Sequence, residues 1–140
     1  MASAAITIIR ARPTTALIFL KERGLSFKNA YEGFVYALKT QRNAWIHAVI
    51  SIFVLVLSFS LRLSLQEWIP ILIVIAMVWM AELLNTALET MVDIICPETH
   101  PLAKIAKDVG AAFVLIAAVL AVIIGAMIFI PKLIGIFKLS

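Results

Sequence analysis

The sequence predicts an all-α integral membrane protein with three transmembrane helices and an N-terminal amphipathic surface helix. Three observations carry this. Hydrophobic residues make up 64% of the chain and charged residues only 14%; mean hydropathy is +1.09; and apolar runs of membrane length occur three times. Soluble domains carry about 25% charged residues, and one span takes roughly 20 apolar residues. A chain of 140 residues therefore holds three spans comfortably but not four. A net charge of +4 and a pI near 9.5 would suggest nucleic acid in a soluble protein. Beside such apolarity they reflect basic flanks on one side of a membrane, and no nucleic-acid partner is expected.

The first 25 residues hold a short apolar run, Thr14 to Leu20, too short to span and without a signal-peptide cleavage pattern; residues 1–25 carry no structural assignment. From Ser26 to Thr40, Phe27, Ala30, Tyr31, Phe34 and Leu38 recur at helical spacing while Lys28, Asn29, Glu32 and Lys39 fall elsewhere. That pattern predicts an amphipathic helix over 26–40, serving as a membrane-surface anchor or packing element rather than as a substrate contact.

The spans are expected at about 44–63, 68–92 and 109–130, in a membrane domain covering 26–131 and followed by a tail, 132–140. The first is interrupted only by His47. The second opens on Trp68 and runs on without a breaker into ELLNTALETMVD. The third is almost wholly aliphatic, and Pro131 is expected to close it. Its Ala117, Ala121 and Gly125, four residues apart, allow close helix approach. With no internal repeat, low-complexity tract or linker, one compact bundle is the economical reading.

Charge counting orients the chain. Residues 1–43 carry seven Arg and Lys, Arg10 through Arg42, against Glu22 and Glu32, whereas the turn between the first two spans offers Arg62 and Glu67. The N-terminus is thus expected in the cytoplasm of a bacterial inner membrane, with the 93–108 loop on that side. Lys132 and Lys138 at the far end weigh mildly against this. The lone Cys96 has no disulfide partner and reads as an incidental loop residue.

On a helix advancing about 100° per residue, Glu82, Asn85, Glu89 and Asp93 share an arc of about 80°. A charge inside a membrane helix costs several kcal/mol unless it meets a partner, water or an ion. Asp93 is late enough to be ordinary and solvated, whereas Glu82 and Glu89 continue an apolar span and read as functional. Seven residues separate these two by roughly 10 Å along the axis, too far to share one proton. Separate roles follow: Glu82, deeper and desolvated, as a general base toward a hydroxyl delivered from the bilayer, and Glu89 as a ligand for Mg2+, which takes oxygen ligands and bridges phosphates. Asn85 lies between them and could orient a phosphate or the attacking group.

The loop from Ile94 to Asp108 brings Glu98, His100, Lys104, Lys107 and Asp108 to the same surface. Lys107 can neutralise phosphate charge or simply be a positive-inside lysine. Asp108 can favour a helix N-terminus, and His100 alone reads as solvated. No G-x-x-x-x-G-K-[ST] or G-x-G-x-x-G occurs, which by itself argues against a nucleotide.

The run Glu82-Leu-Leu-Asn85-Thr-Ala-Leu-Glu89-Thr-Met-Val-Asp93, then Glu98-Thr-His100, then Ala106-Lys107-Asp108-Val-Gly110, resembles the signature of the prokaryotic diacylglycerol kinase family, which includes undecaprenol kinases. The resemblance covers roughly Phe27 to Ile130. It implies a homotrimer with active sites shared between subunits, a membrane lipid and ATP as substrates, and a nucleotide site unrelated to the P-loop. It also implies Glu82 as the catalytic, lipid-facing base, Glu89 as a Mg2+ ligand, and Asn85, Glu89, Glu98, His100, Lys107 and Asp108 as nucleotide or phosphate contacts. Where the family has a second metal-binding glutamate, this chain has Gln41, whose neutral amide is a poorer ligand for Mg2+; Gln41→Glu should then lower the Mg2+ requirement. The following Arg42-Asn43 and Ile46-His47 resemble the undecaprenol kinase branch.

Three readings compete. The first is a lipid kinase acting on undecaprenol or diacylglycerol. The second is a small proton-coupled transporter with Glu82 as carrier, disfavoured because the third span offers no polar path. The third is a catalytically impaired kinase homologue, suggested by Gln41.

Overall fold

A computed structural model describes the backbone of residues 15–139 and the side chains of 22–136. The described residues are helical throughout apart from short connections: α1 Thr15–Thr40, α2 Arg42–Ser60, α3 Leu65–Ile95 and α4 Pro101–Leu139. The last three are each long and apolar enough to cross a membrane. The chain divides into two units between Val35 and Tyr36, inside α1, and everything about the site belongs to the second.

The amphipathic helix expected over 26–40 lies within α1, which begins earlier, at Thr15. Part of the run left unassigned by sequence is therefore helical, and the rest of residues 1–25 lies outside the described residues. No breaker separates Thr15 from Ser26, and Gly24 is tolerated at the usual modest cost. Phe27 and Tyr31 are exposed on α1. One residue separates α1 from α2: Gln41, extended at φ −103° and ψ 117°, with its N–H donating to Ala37 O.

α2 ends in a tight turn in which Arg62 takes φ 50°, a left-handed conformation that costs a non-glycine residue about 1–2 kcal/mol. The turn is held from several sides. Arg62 N–H donates to Phe59 O and Leu63 N–H to Ser58 O. Glu67, in the first turn of α3, accepts from Ser64 N–H and Ser64 Oγ at 2.7 Å each. Lys132 of α4 reaches the same carboxylate at 2.9 Å. The lysine that sat awkwardly in the charge count is thus matched by an acid on its own side of the bundle.

α3 is the central element, packing along α4 and against α2. Its buried stripe is Ile71, Val74, Val78, Glu82, Asn85 and Thr86, apolar in its first half and polar in its second. The acidic face read from the sequence is therefore the continuation of the packing face. The outer faces of α2 and α4 stay exposed and apolar, with Val49, Phe53, Ile116 and Val122 among the residues that present hydrocarbon to a bilayer.

One expectation about the third span is corrected and another is narrowed. Pro131 does not close it, since α4 continues to Leu139 with Pro131 inside; a proline removes one N–H, a loss that a long membrane helix can absorb. Of the small residues expected to allow close approach, Ala117 is buried, whereas a Cβ at Gly125 would meet only Phe129 at an ordinary 3.9 Å. Ala121 and Gly125 instead line a cleft of about 310 Å3 among α2, α3 and α4. The tight crossing is at Gly110, where a Cβ would fall 2.5 Å from Asn85 Oδ1.

Candidate active site

The polar half of the α3 stripe builds the site. Glu82 is only 1% exposed, and neither carboxylate oxygen has a hydrogen-bond partner among the described residues. Its nearest charge-bearing neighbour from another helix is His47 of α2, with Nε2 3.8 Å from Glu82 Oε2. An unpaired buried carboxylate is costly, and the packing of Val78 and its neighbours is what holds it there. His47 entered the sequence reading only as a polar interruption in the first span. The signal that could have found it was its depth, since it lies about one helical turn into α2, facing the level of Glu82.

One turn further on, Asn85 is 5% exposed and donates from Nδ2 to Glu89 Oε1 at 3.0 Å. Its own Oδ1 is buried without a partner, turned toward Gly110 of α4. The other carboxylate oxygen of Glu89, Oε2, accepts from Gln41 Nε2 at 2.9 Å. Gln41, Asn85 and Glu89 thus form one network joining the α1–α2 junction to α3. Thr86 shares this face, buried and bonded back from Oγ1 to Glu82 O at 2.8 Å; the sequence reading passed over it.

Glu98, His100, Lys107 and Asp108 all line a second feature, an open pocket of about 590 Å3 at the α3–α4 connection, together with Asp93, Cys96 and Lys104. The connection is shorter than the loop expected over 93–108. Only residues 96–100 are non-helical, and Lys104, Lys107 and Asp108 stand on the first turns of α4. Nothing in 101–108 breaks a helix, and proline is at home at the first helical position. His100 accepts from Leu102 N–H at Nδ1 (3.2 Å), capping α4. Lys107 pairs with Asp93 of α3 and Lys104 with Asp108 at 3.2 Å. Neither Asp93 nor Lys107 is therefore a solitary solvated group.

These pieces fit phosphoryl transfer better than any resident metal centre. Among the described residues no three His, Cys, Asp or Glu side chains gather into a metal site. Glu89, with one N–H on each oxygen and lone pairs to spare, instead suits a Mg2+ shared with phosphates and water, since that ion commonly takes only one or two protein carboxylates. Three membrane-length helices, a buried carboxylate, and a pocket of mixed charge at the connection that follows it, lined by Asp93, Glu98, Lys104, Lys107 and Asp108, suit one class of protein: a small membrane-embedded lipid kinase.

The comparisons with known proteins agree. The model of the family described as prokaryotic diacylglycerol kinase matches residues 28–129. The chain is 44% identical over 108 residues to the undecaprenol kinase of Bacillus subtilis, covering 77% of this chain and 88% of that protein. It is 40% identical over 112 residues to a diacylglycerol kinase of Synechocystis, covering 79% of this chain and 64% of that one. It is 35% identical over 95 residues to the diacylglycerol kinase of Escherichia coli, covering 63% and 78% respectively. The chain belongs to the prokaryotic diacylglycerol kinase family, and the transporter reading is not favoured.

Proposed function

We propose that this kinase transfers the γ-phosphoryl group of ATP to the hydroxyl of a membrane lipid, undecaprenol first and diacylglycerol second, at a site on the cytoplasmic face of the bacterial inner membrane. The observation that carries the reading is Glu82, a carboxylate held 1% exposed within the membrane domain and without a hydrogen-bond partner among the described residues. Such a group is a strong acceptor for the proton of a hydroxyl presented from the bilayer. The lipid oxygen bonds to the γ-phosphorus, the bond from that phosphorus to the β–γ bridging oxygen breaks with its electron pair leaving on ADP, and the hydroxyl proton passes to Glu82.

The transition state is charge spread over phosphoryl oxygens, so catalysis is mostly positioning and neutralisation. The nucleotide is assigned to the pocket lined by Glu98, His100, Lys107 and Asp108. Lys107 supplies positive charge to the phosphates by exchanging Asp93 for them. Glu89 would hold Mg2+, which when bound offsets the charge of the β- and γ-phosphates. Asn85 fixes the Glu89 carboxylate. The order of lipids follows the 44% identity to an undecaprenol kinase. The active unit is taken to be a homotrimer with sites shared between subunits, as the family resemblance implies.

The test is purified protein in mixed micelles with ATP and Mg2+, offered undecaprenol or diacylglycerol, with Glu82→Gln alongside. Lipid phosphate is expected with the wild type and at least 100-fold less with the variant, the lower end of what a positioned base contributes, about 10^2–10^4. Equal product from both would remove Glu82 as base. No product from either lipid would remove the kinase reading and leave the impaired homologue.

A further inference from the structure

The polar network contains one member whose chemistry the reaction does not yet use. Gln41 is the sole non-helical residue between α1 and α2, yet its side chain crosses to α3 and donates to Glu89 Oε2 at 2.9 Å. Asn85 donates to the other oxygen, Oε1, at 3.0 Å. A carboxylate only accepts hydrogen bonds, so each amide must turn its NH2 toward Glu89. The carbonyl oxygen of Gln41 is thereby turned away from the carboxylate it would have to join as a fellow metal ligand.

We propose that Gln41 and Asn85 form an amide clamp that presets the Glu89 carboxylate, making Gln41 a positioning residue and not a member of the metal's coordination sphere. The proposal rests on the reading of Glu89 as the Mg2+ holder. Two amide donors restrain both oxygens while leaving each with lone pairs for a cation. They do so without placing a second negative charge beside the first, where two carboxylates at this separation would repel until a cation lay between them. The site is thus organised before any metal arrives. Gly110 is part of the device, since only a residue without a Cβ leaves room for Asn85 Oδ1. The clamp also ties the α1–α2 junction to the last turns of α3, so that Glu89 is held by residues 41 and 85 from two elements at once.

The full chain in detergent micelles tests this in two arms. In EDTA, without metal, nucleotide or lipid, thermal unfolding is followed for wild type, Gln41→Ala, Glu89→Ala, the double variant and Gln41→Lys. A clamp predicts that Gln41→Ala lowers the midpoint by roughly 3 °C, the size expected for one part-buried charge-assisted hydrogen bond in a chain of this length. The same change should add nothing in the Glu89→Ala background, and Gln41→Lys, a donor with no oxygen, should restore the midpoint. No shift in Gln41→Ala, or the same shift with Glu89 absent, overturns the clamp. In the second arm Mn2+ binding is measured by electron paramagnetic resonance with a non-hydrolysable ATP analogue and no lipid. Gln41→Ala should weaken it by about 10–100-fold, the cost of removing a partner that orients a ligand, with the number of water molecules on the bound Mn2+, counted by line broadening in 17O-enriched water, unchanged; one additional water, the mark of a lost protein ligand, overturns the assignment. If wild type binds no Mn2+, it is the metal role of Glu89 that fails, and the unfolding arm alone decides the clamp.

Discussion

His47 and Glu82 face each other across the α2–α3 interface with Nε2 and Oε2 3.8 Å apart, the single inter-helical approach of a titratable group to the proposed base among the described residues. At that distance the imidazole is not a firm hydrogen-bond partner, but a modest side-chain movement makes it one. His47 also borders the apolar cleft among α2, α3 and α4, so it stands where a bilayer-delivered hydroxyl would meet Glu82. His47→Leu is expected to lower kcat by roughly tenfold, a fraction of the 10^2–10^4 that a positioned base contributes. The Michaelis constant for ATP should not move. A change confined to the ATP constant would place His47 with the nucleotide instead.

Gly110→Ala sets a methyl group where Asn85 Oδ1 now lies, 2.5 Å from the new Cβ. Either α4 moves off α3 or Asn85 rotates and releases Glu89, and overpacking of this kind costs about 1–3 kcal/mol. The unfolding midpoint is expected to fall, and kcat with it. Combining the change with Asn85→Ser, which withdraws the obstructing amide, should recover most of the midpoint but not the activity. Recovery of both would show that Asn85 only fills space.

Much of this was legible in the sequence, and the places where it was not have definite causes. Three membrane helices follow from apolar length alone, and the 3.6-residue period put Glu82, Asn85 and Glu89 on one face before any packing was known. The period could not show which neighbour that face meets, so the approach of His47 was invisible, and Gln41, 48 residues away from Glu89, was placed beside it only by the family resemblance, as a metal ligand and not as a donor. Pro131 misled because a breaker rule drawn from water-soluble helices was applied to a chain whose helix continues past it. The stripe of Ala117, Ala121 and Gly125 told only part of the packing, because a spacing of small residues says that helices can approach, not where: Ala117 is buried, but the tight crossing is at Gly110.

At the opposite end of the bundle, Lys132 contacts Glu67 at 2.9 Å and Arg62 O at 3.4 Å. Glu67 also accepts from Ser64 N–H, so it secures both the turn and the start of α3. Glu67→Gln should therefore destabilise more than Lys132→Met, which removes a partly exposed ion pair of little worth and the long contact with Arg62 O but leaves the Ser64 bonds in place. Both variants should keep the wild-type constants for ATP and lipid once folded, because the pair lies beyond the far end of α3 from Glu89. A tenfold fall in kcat in either, with the fold intact, would mean that the two ends of the bundle are coupled.

Lys107 and Asp93 join α4 to α3 beside the pocket, and the phosphate role proposed for Lys107 requires them to part. If Lys107 neutralises phosphate, Asp93 is a placeholder that occupies the ammonium until ATP arrives. Removing the placeholder and removing the lysine then have opposite consequences. Asp93→Asn should leave kcat within about threefold of wild type and tighten ATP binding slightly, since less competition remains for the same cation. Lys107→Met should cost on the order of 10^2–10^3 in kcat, the size of one electrostatic donor lost from a developing anion. It should leave the unfolding midpoint nearly unchanged, because an exposed ion pair contributes little stability. A Lys107→Met variant that loses stability and activity in equal proportion would mark the pair as a structural tie between α3 and α4, and the phosphate contact would then have to come from Lys104, paired today with Asp108 at 3.2 Å.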